Sequence, residues 1–144
     1  MVGEPRTTEY TESTEEGREV TTLLYEEESY AIRGAAFEVY GVMGCGFLEP
    51  VYQECLEKEL RRRSVPYMAQ QELRLTYKEE PLLQVYRPDL VCFGKILVEL
   101  KAVKDIAPEH KAQHLNYLKA SQLRLGFLIN FGGYPKAQIE RTVL

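Results

Sequence analysis

The sequence lacks the marks of a membrane or exported protein. No apolar run approaches the ~18 residues that a bilayer-spanning helix needs. The N-terminus has no basic start followed by an apolar stretch, so no secretory signal and no membrane partner are expected. Cysteine is scarce: Cys45, Cys55 and Cys92 are odd in number, widely spaced and without a CxxC pair. That excludes a zinc ribbon, an iron–sulfur cluster and a disulfide framework, and makes a reducing cytoplasm the expected compartment. There is no Walker loop, no GxGxxG and no nucleophilic-serine elbow. Internal repeats, heptads and collagen-like periods are also missing.

What is present is ordinary globular material. The 144 residues suit one domain with short additions, and hydrophobic residues make up 44%. The net charge of −4 hides an uneven distribution. Residues 1–28 carry nine Glu and two Arg, whereas the remainder is mildly basic at +3. A basic remainder is compatible with nucleic acid but is not evidence for it. Residues 1–21 are rich in Glu and Thr and show no sustained period, so they are expected to form a disordered tail or a loose helix. Residues 22–144 are expected to form a single domain.

Helical spacing starts near Leu24, with Ile32, Ala35, Ala36, Val39 and Tyr40 on one stripe. Gly41, Gly44 and Gly46 end it. A second helix is expected over Pro50–Arg63, with Val51, Cys55, Leu56 and Leu60 inward and an arginine run closing it. Ser64 to Pro66 then turn the chain. The period next switches to two. Strands are expected over Glu72–Lys78, over Leu83–Phe93 with Pro88 inside, and over Lys95–Ala102 after a hairpin at Gly94. A helix follows from Pro108 to about Ser121, with Ala112, Leu115 and Leu118 inward. The apolar run Leu125–Phe131 reads as a strand covered on both faces, and Ile139–Val143 as a further C-terminal strand. The order α-α-β-β-β-α-β, with that extra strand, predicts an α/β fold: a mixed sheet flanked by helices.

The run Ile96-Leu97-Val98-Glu99-Leu100-Lys101 carries charge inside a core strand. Residues two apart share a strand face, so Glu99 and Lys101 project together while Ile96, Val98 and Leu100 point the other way. Asp89 follows Pro88 on the preceding strand of the same hairpin. Two adjacent carboxylates repel unless a cation lies between them, and hard oxygen donors suit Mg²⁺ or Mn²⁺. A neighbouring lysine can steady a water or a phosphate oxygen, which makes this a metal-dependent phosphodiester-cleaving pattern. The same tripeptide also fits a solvent-facing Glu/Lys pair on an exposed sheet. Register separates the two. A two-residue Gly94-Lys95 loop would pair Asp89 with Leu100 and split the acids between faces. A three-residue loop, Phe93-Gly94-Lys95, or a bulge near Pro88 would bring Asp89 opposite Glu99.

Three further features bear on this choice. Glu49 opens a helix after the glycine-rich turn Gly44–Gly46, where it can serve as a third acid or merely favour the helix dipole. Gln113 and Tyr117 are four apart on the helix after the Glu/Lys strand and share a face. Their amide and phenol suit hydrogen bonding to a phosphate, a base edge or the lysine, or an ordinary amphipathic boundary. His110 and His114 have the spacing of a zinc pair, but no HExxH and no third ligand accompany them.

The order Glu49, Asp89, Glu99-Leu100-Lys101, Gln113-x-x-x-Tyr117 resembles the PD-(D/E)XK nuclease superfamily, especially its RecB-type members with a Gln-x-x-x-Tyr helix. Gly46, Glu49 and Tyr52 further resemble the bacterial GxxExxY proteins, as do Val98–Val103, Gln113–Lys119 and Gly126–Gly132. Cys45 stands where that group is expected to carry proline, and Pro50 directly follows Glu49. The resemblance spans about Leu23 to Val143. It implies a restriction-endonuclease-like fold and Mg²⁺-dependent (or Mn²⁺-dependent) cleavage of nucleic acid, with DNA the first expectation and RNA the second. Asp89, Glu99 and the backbone carbonyl of Leu100 would ligate the metal, with Glu49 joining directly or through water. Lys101 would orient the water or stabilise developing charge, and Gln113 and Tyr117 would position the substrate or the lysine. The alternative is a non-catalytic module that keeps the fold and binds nucleic acid or protein. The small size suggests a homodimer or a larger nucleic-acid-processing complex, because specific DNA interfaces bury about 1,000–2,500 Å² of protein.

Overall fold

The computed structural model describes residues 10–13 and 19–144. Residues 1–9 and 14–18 of the expected tail lie outside the described residues. Two short segments of that tail depart from the expectation. Tyr10–Ser13 (β1) and Glu19–Thr22 (β2) pair antiparallel, with Thr11 opposite Thr21 and Glu12 opposite Val20. The threonines and Val20 are β-branched, which favours an extended backbone even where the sequence shows no long alternation.

Helix α1 (Glu26–Met43) carries three glutamates in its first turn, where the helix dipole favours acids. It stops at Gly44, whose φ of 70° lies in the left-handed region and whose N–H donates to the Tyr40 carbonyl at 2.8 Å. Helix α2 (Glu49–Arg62) begins one residue earlier than its proline suggests, so Glu49 is already helical. Its buried stripe is Tyr52, Leu56 and Leu60, while Val51 and Cys55 are half-buried. The stripe is thus rotated from the expected one, and Tyr52 is its first buried residue.

Two corrections concern the strands. A short strand, β3 (Tyr67–Ala69), follows α2 in a region with too few residues to display a period. The expected strand Leu83–Phe93 is in fact two. β4 (Leu73–Tyr77) and β5 (Glu80–Tyr86) form a separate antiparallel hairpin, and β6 (Leu90–Cys92) belongs to the main sheet. Pro88 lies between them, unable to donate to a ladder, so pairing is interrupted there and the chain changes sheet.

The main sheet has the order β3-β6-β7-β8-β9, with β7 (Ile96–Lys101), β8 (Leu125–Asn130) and β9 (Gln138–Val143). β7 and β8 run parallel, joined by helix α3 (Pro108–Ser121), and the other neighbours are antiparallel. This is the expected α/β mixed sheet with a crossover helix. On one face, Ile96, Val98 and Leu100 of β7 pack with Phe127 and Ile129 of β8 against Ile32, Val39, Leu56 and Leu60 from α1 and α2. On the other face a smaller cluster joins Leu97 to Tyr86, Val91 and Leu118. The inward residues of α3 are His114 and Leu118; Ala112 is exposed and Leu115 half-buried, contrary to the expected stripe.

Candidate active site at the end of the Glu99 strand

The β6–β7 hairpin closes through Phe93-Gly94-Lys95, because Cys92 pairs with Ile96, Val91 with Leu97 and Leu90 with Val98. Phe93 and Gly94 both adopt positive φ, 56° and 68°. Asp89 stands immediately before β6, outside this ladder, and its carboxylate reaches the backbone of Leu100 on β7. The expected three-residue loop is present, and Asp89 lies close enough to Glu99 for the Glu99 charge to raise its carboxyl.

Each acid is held by a different set of partners. Asp89 Oδ2 accepts the Leu100 N–H at 2.7 Å. The Asp89 carbonyl accepts Gln53 Nε2 of α2 at 3.2 Å and the Gln70 N–H at 3.3 Å. Glu49, Pro50, Gln53, Gln70 and Asp89 line a cleft of about 180 Å³. Glu99 Oε1 lies 2.7 Å from Nδ1 of His114, and its Oε2 accepts the Tyr86 hydroxyl. Burial first, then the neighbouring Glu99 charge, pushes the Tyr86 phenol up, so it remains the donor. Tyr117 is half-buried and stacks on Tyr86, with ring centroids 3.7 Å apart. Gln113 is exposed on α3.

Glu49, Asp89, Glu99 and Lys101 share one electrostatic neighbourhood. Burial raises the Glu49 carboxyl most; Asp89 raises it further, Lys101 lowers it and Glu99 raises it. Burial also dominates at Asp89, where the Leu100 N–H works in the opposite direction, followed by repulsion from Glu99 and attraction to Lys101. Three acids thus face one lysine. Glu49 is presented by the glycine turn, which Tyr52 secures. Its hydroxyl donates to the Gly44 carbonyl at 2.5 Å and accepts the Phe47 N–H at 3.2 Å, and its ring stacks on Phe131 at 4.7 Å.

Hard, mutually repelling carboxylate oxygens fit a divalent cation such as Mg²⁺ or Mn²⁺. Their present rotamers do not close around one. Among the described residues no three His, Cys, Asp or Glu side chains are grouped as a ready metal cage. The reason is visible in the bonds above: Asp89 turns to a backbone N–H, and Glu99 turns to Tyr86 and His114. The two histidines do not form a zinc pair either. His110 Nδ1 accepts the Ala107 N–H at 3.0 Å at the start of α3, while His114 engages Glu99.

A family model for the PD-(D/E)XK nuclease superfamily matches residues 26–142. The chain belongs to the PD-(D/E)XK nuclease superfamily. No curated protein and no solved structure gives a significant match. PD-(D/E)XK nucleases generally use divalent metals such as Mg²⁺ or Mn²⁺, in keeping with the donor chemistry here. No helix among the described residues is long and apolar enough to cross a membrane. In this PD-(D/E)XK domain, sequence reasoning missed Tyr86 and His114 as partners of Glu99, and Gln53 and Gln70 as partners of Asp89. One signal for His114 was available: it is four residues before Leu118 and so shares its helix face.

Proposed function

We propose that this domain is a divalent-metal-dependent nuclease that hydrolyses phosphodiester bonds in nucleic acid, with DNA favoured over RNA as substrate. We further assign it to the GxxExxY group on Gly46, Glu49 and Tyr52. The observation that supports the reading is the three-residue loop between β6 and β7, the register in which Asp89 can approach Glu99 and Lys101. Asp89, Glu99 and the Leu100 carbonyl would hold Mg²⁺ or Mn²⁺, with Glu49 assisting directly or through water. Leu100 donates its N–H toward Asp89, and an extended residue presents its carbonyl on the same strand edge. When bound, the ion supplies Lewis-acid polarisation and a more acidic water. Lys101 would orient the water or stabilise developing phosphate charge. Gln113, exposed on α3, would contact substrate. Tyr117 would act through its stack on Tyr86. The free cysteines suit a cytoplasmic protein, and a homodimer or larger complex would supply the surface needed to grip a duplex.

The test is purified protein incubated with linear, circular and single-stranded DNA and with RNA, in Mg²⁺, Mn²⁺ or chelator. Cleavage is expected only with metal, and Asp89→Ala, Glu99→Ala and Lys101→Ala should each abolish it while the protein stays folded. Cleavage retained by Glu99→Ala overturns the reading. A second reading, a module that binds nucleic acid without cutting it, draws on the engagement of both Glu99 oxygens by Tyr86 and His114. Metal-independent binding without cleavage by the wild-type protein would favour it.

A further inference from the structure

Glu99 is engaged through both of its carboxylate oxygens. Its two oxygens meet two different elements: Oε2 takes the hydroxyl of Tyr86 at the end of β5, and Oε1 takes Nδ1 of His114 on α3. Both partners are themselves immobilised. Tyr86 is buried and its ring lies flat on Tyr117, with an interplanar angle of 1°. His114 is 2% exposed and sits directly over Gly126 of β8. A Cβ at Gly126 would lie 2.7 Å from His114 Nε2 and 2.9 Å from its Cε1, inside contact distance. Glycine is therefore required there by the imidazole, not by backbone conformation. His114 Nε2 is buried without a hydrogen-bond partner. That orphan is cheapest as a bare lone pair, which places the ring proton on Nδ1, where it can be donated to Glu99.

We propose that Tyr86 and His114 are positioning residues that clamp the Glu99 carboxylate from both sides, with Gly126 providing the berth for the imidazole and Tyr117 bracing the phenol. The proposal rests on the reading of Glu99 as a ligand for a divalent ion. A carboxylate oxygen that accepts one hydrogen bond retains a second lone pair, so the clamp orients Glu99 without consuming its capacity to ligate. Outer partners of metal ligands generally contribute roughly 10–100-fold to metal affinity. The clamp also joins three elements, because β5, α3 and β8 must all be docked before Glu99 is oriented. The β4–β5 hairpin, outside the main sheet, thereby gains a part in the site.

Two measurements test it. The first needs no metal: ¹⁵N imidazole spectra should show His114 as the Nδ1–H tautomer with a slowly exchanging ring proton, and Glu99→Ala should abolish that protection. An Nε2–H tautomer, or a signal indifferent to Glu99→Ala, overturns the clamp. The second is Mn²⁺ binding by calorimetry to wild type, Tyr86→Phe, His114→Ala, Gly126→Ala and the His114→Ala/Gly126→Ala double variant. Each single change should weaken Mn²⁺ by roughly 10-fold. The double variant should be no weaker than His114→Ala alone, since the added methyl then has no ring to displace. Wild-type binding with unaltered affinity in folded Tyr86→Phe and Gly126→Ala overturns the positioning role alone. Wild-type protein that binds no Mn²⁺ overturns the metal reading and the clamp's role together.

Discussion

Replacing Asn130 with alanine probes how the end of the Glu99 strand is secured. Asn130 closes β8, is fully buried and uses its amide four times. Its Oδ1 accepts the Val103 N–H at 2.9 Å and the Gly132 N–H at 3.0 Å. Its Nδ2 donates to the Val103 carbonyl at 2.8 Å and to Gln138 Oε1 at 2.7 Å. With Phe131 donating to the Lys101 carbonyl at 2.8 Å, these bonds fasten the segment after β7 to the end of β8. Alanine would orphan two backbone N–H groups and one carbonyl; Gln138 is half-buried and can turn to water. At about 1–3 kcal/mol per buried orphan, reduced where the loops admit water, the loss should be about 3–4 kcal/mol. That is a large share of the ~5–15 kcal/mol typical of a domain. It corresponds to a fall in Tm of about 10–15 °C for a chain of this length. Gln138→Ala removes one bond of the four and should cost less than about 1 kcal/mol. Urea denaturation of the three proteins provides the assay. A loss below about 1 kcal/mol for Asn130→Ala, or an equal loss for Gln138→Ala, would refute the network as the fastening of this end of the sheet.

Other consequences can be checked with the same preparations. Glu49 and Asp89 titrate above their ordinary values in the folded chain, in each case chiefly through burial. Without metal the folded state therefore holds these protons more tightly than the unfolded state, so their stabilising contribution is complete below the ordinary carboxyl range of about 4 and is lost as pH rises through the raised values. Denaturation midpoints in chelator should accordingly fall with rising pH more steeply in wild type than in Glu49→Gln/Asp89→Asn, and equal slopes would contradict the shifts. Asp89→Asn keeps an oxygen to accept the Leu100 N–H but removes a repelling charge, so it should stabilise the metal-free protein and abolish most stabilisation by Mg²⁺; saturating ligand at one hundred times Kd would add about 2.7 kcal/mol to wild type. Tyr52→Phe keeps the stack on Phe131 and deletes the two bonds that pin the glycine turn, for a cost of about 1–2 kcal/mol in thermal denaturation. An unchanged melting temperature would show that the turn before Glu49 is held by other means.

Local chemistry made much of this domain legible from its residues. Pro108 at a helix start, the apolar run at Leu125 and the alternation through Ile96–Lys101 each announce an element within a few residues, because the periods 3.6 and 2 are local properties. The loop Phe93-Gly94-Lys95 is one of the registers that the residues leave open, and it is the one the folded hairpin adopts. Other features have no local trace. β3 is three residues long, too short for a period, and exists because β6 offers it an edge. Pro88 signals an irregularity but cannot say that β5 leaves for a second sheet while β6 stays. The inward face of α3 is chosen by Gly126, a residue on another element whose missing side chain admits His114. The partners of Glu99 are thirteen and fifteen positions away along the chain, and Asn130 reaches back twenty-seven. Propensity and periodicity depend on neighbours in sequence and thus set the elements and the candidate acids they carry. Hydrogen-bond satisfaction and steric fit depend on neighbours in space, so only the tertiary structure decided which groups hold those acids in place.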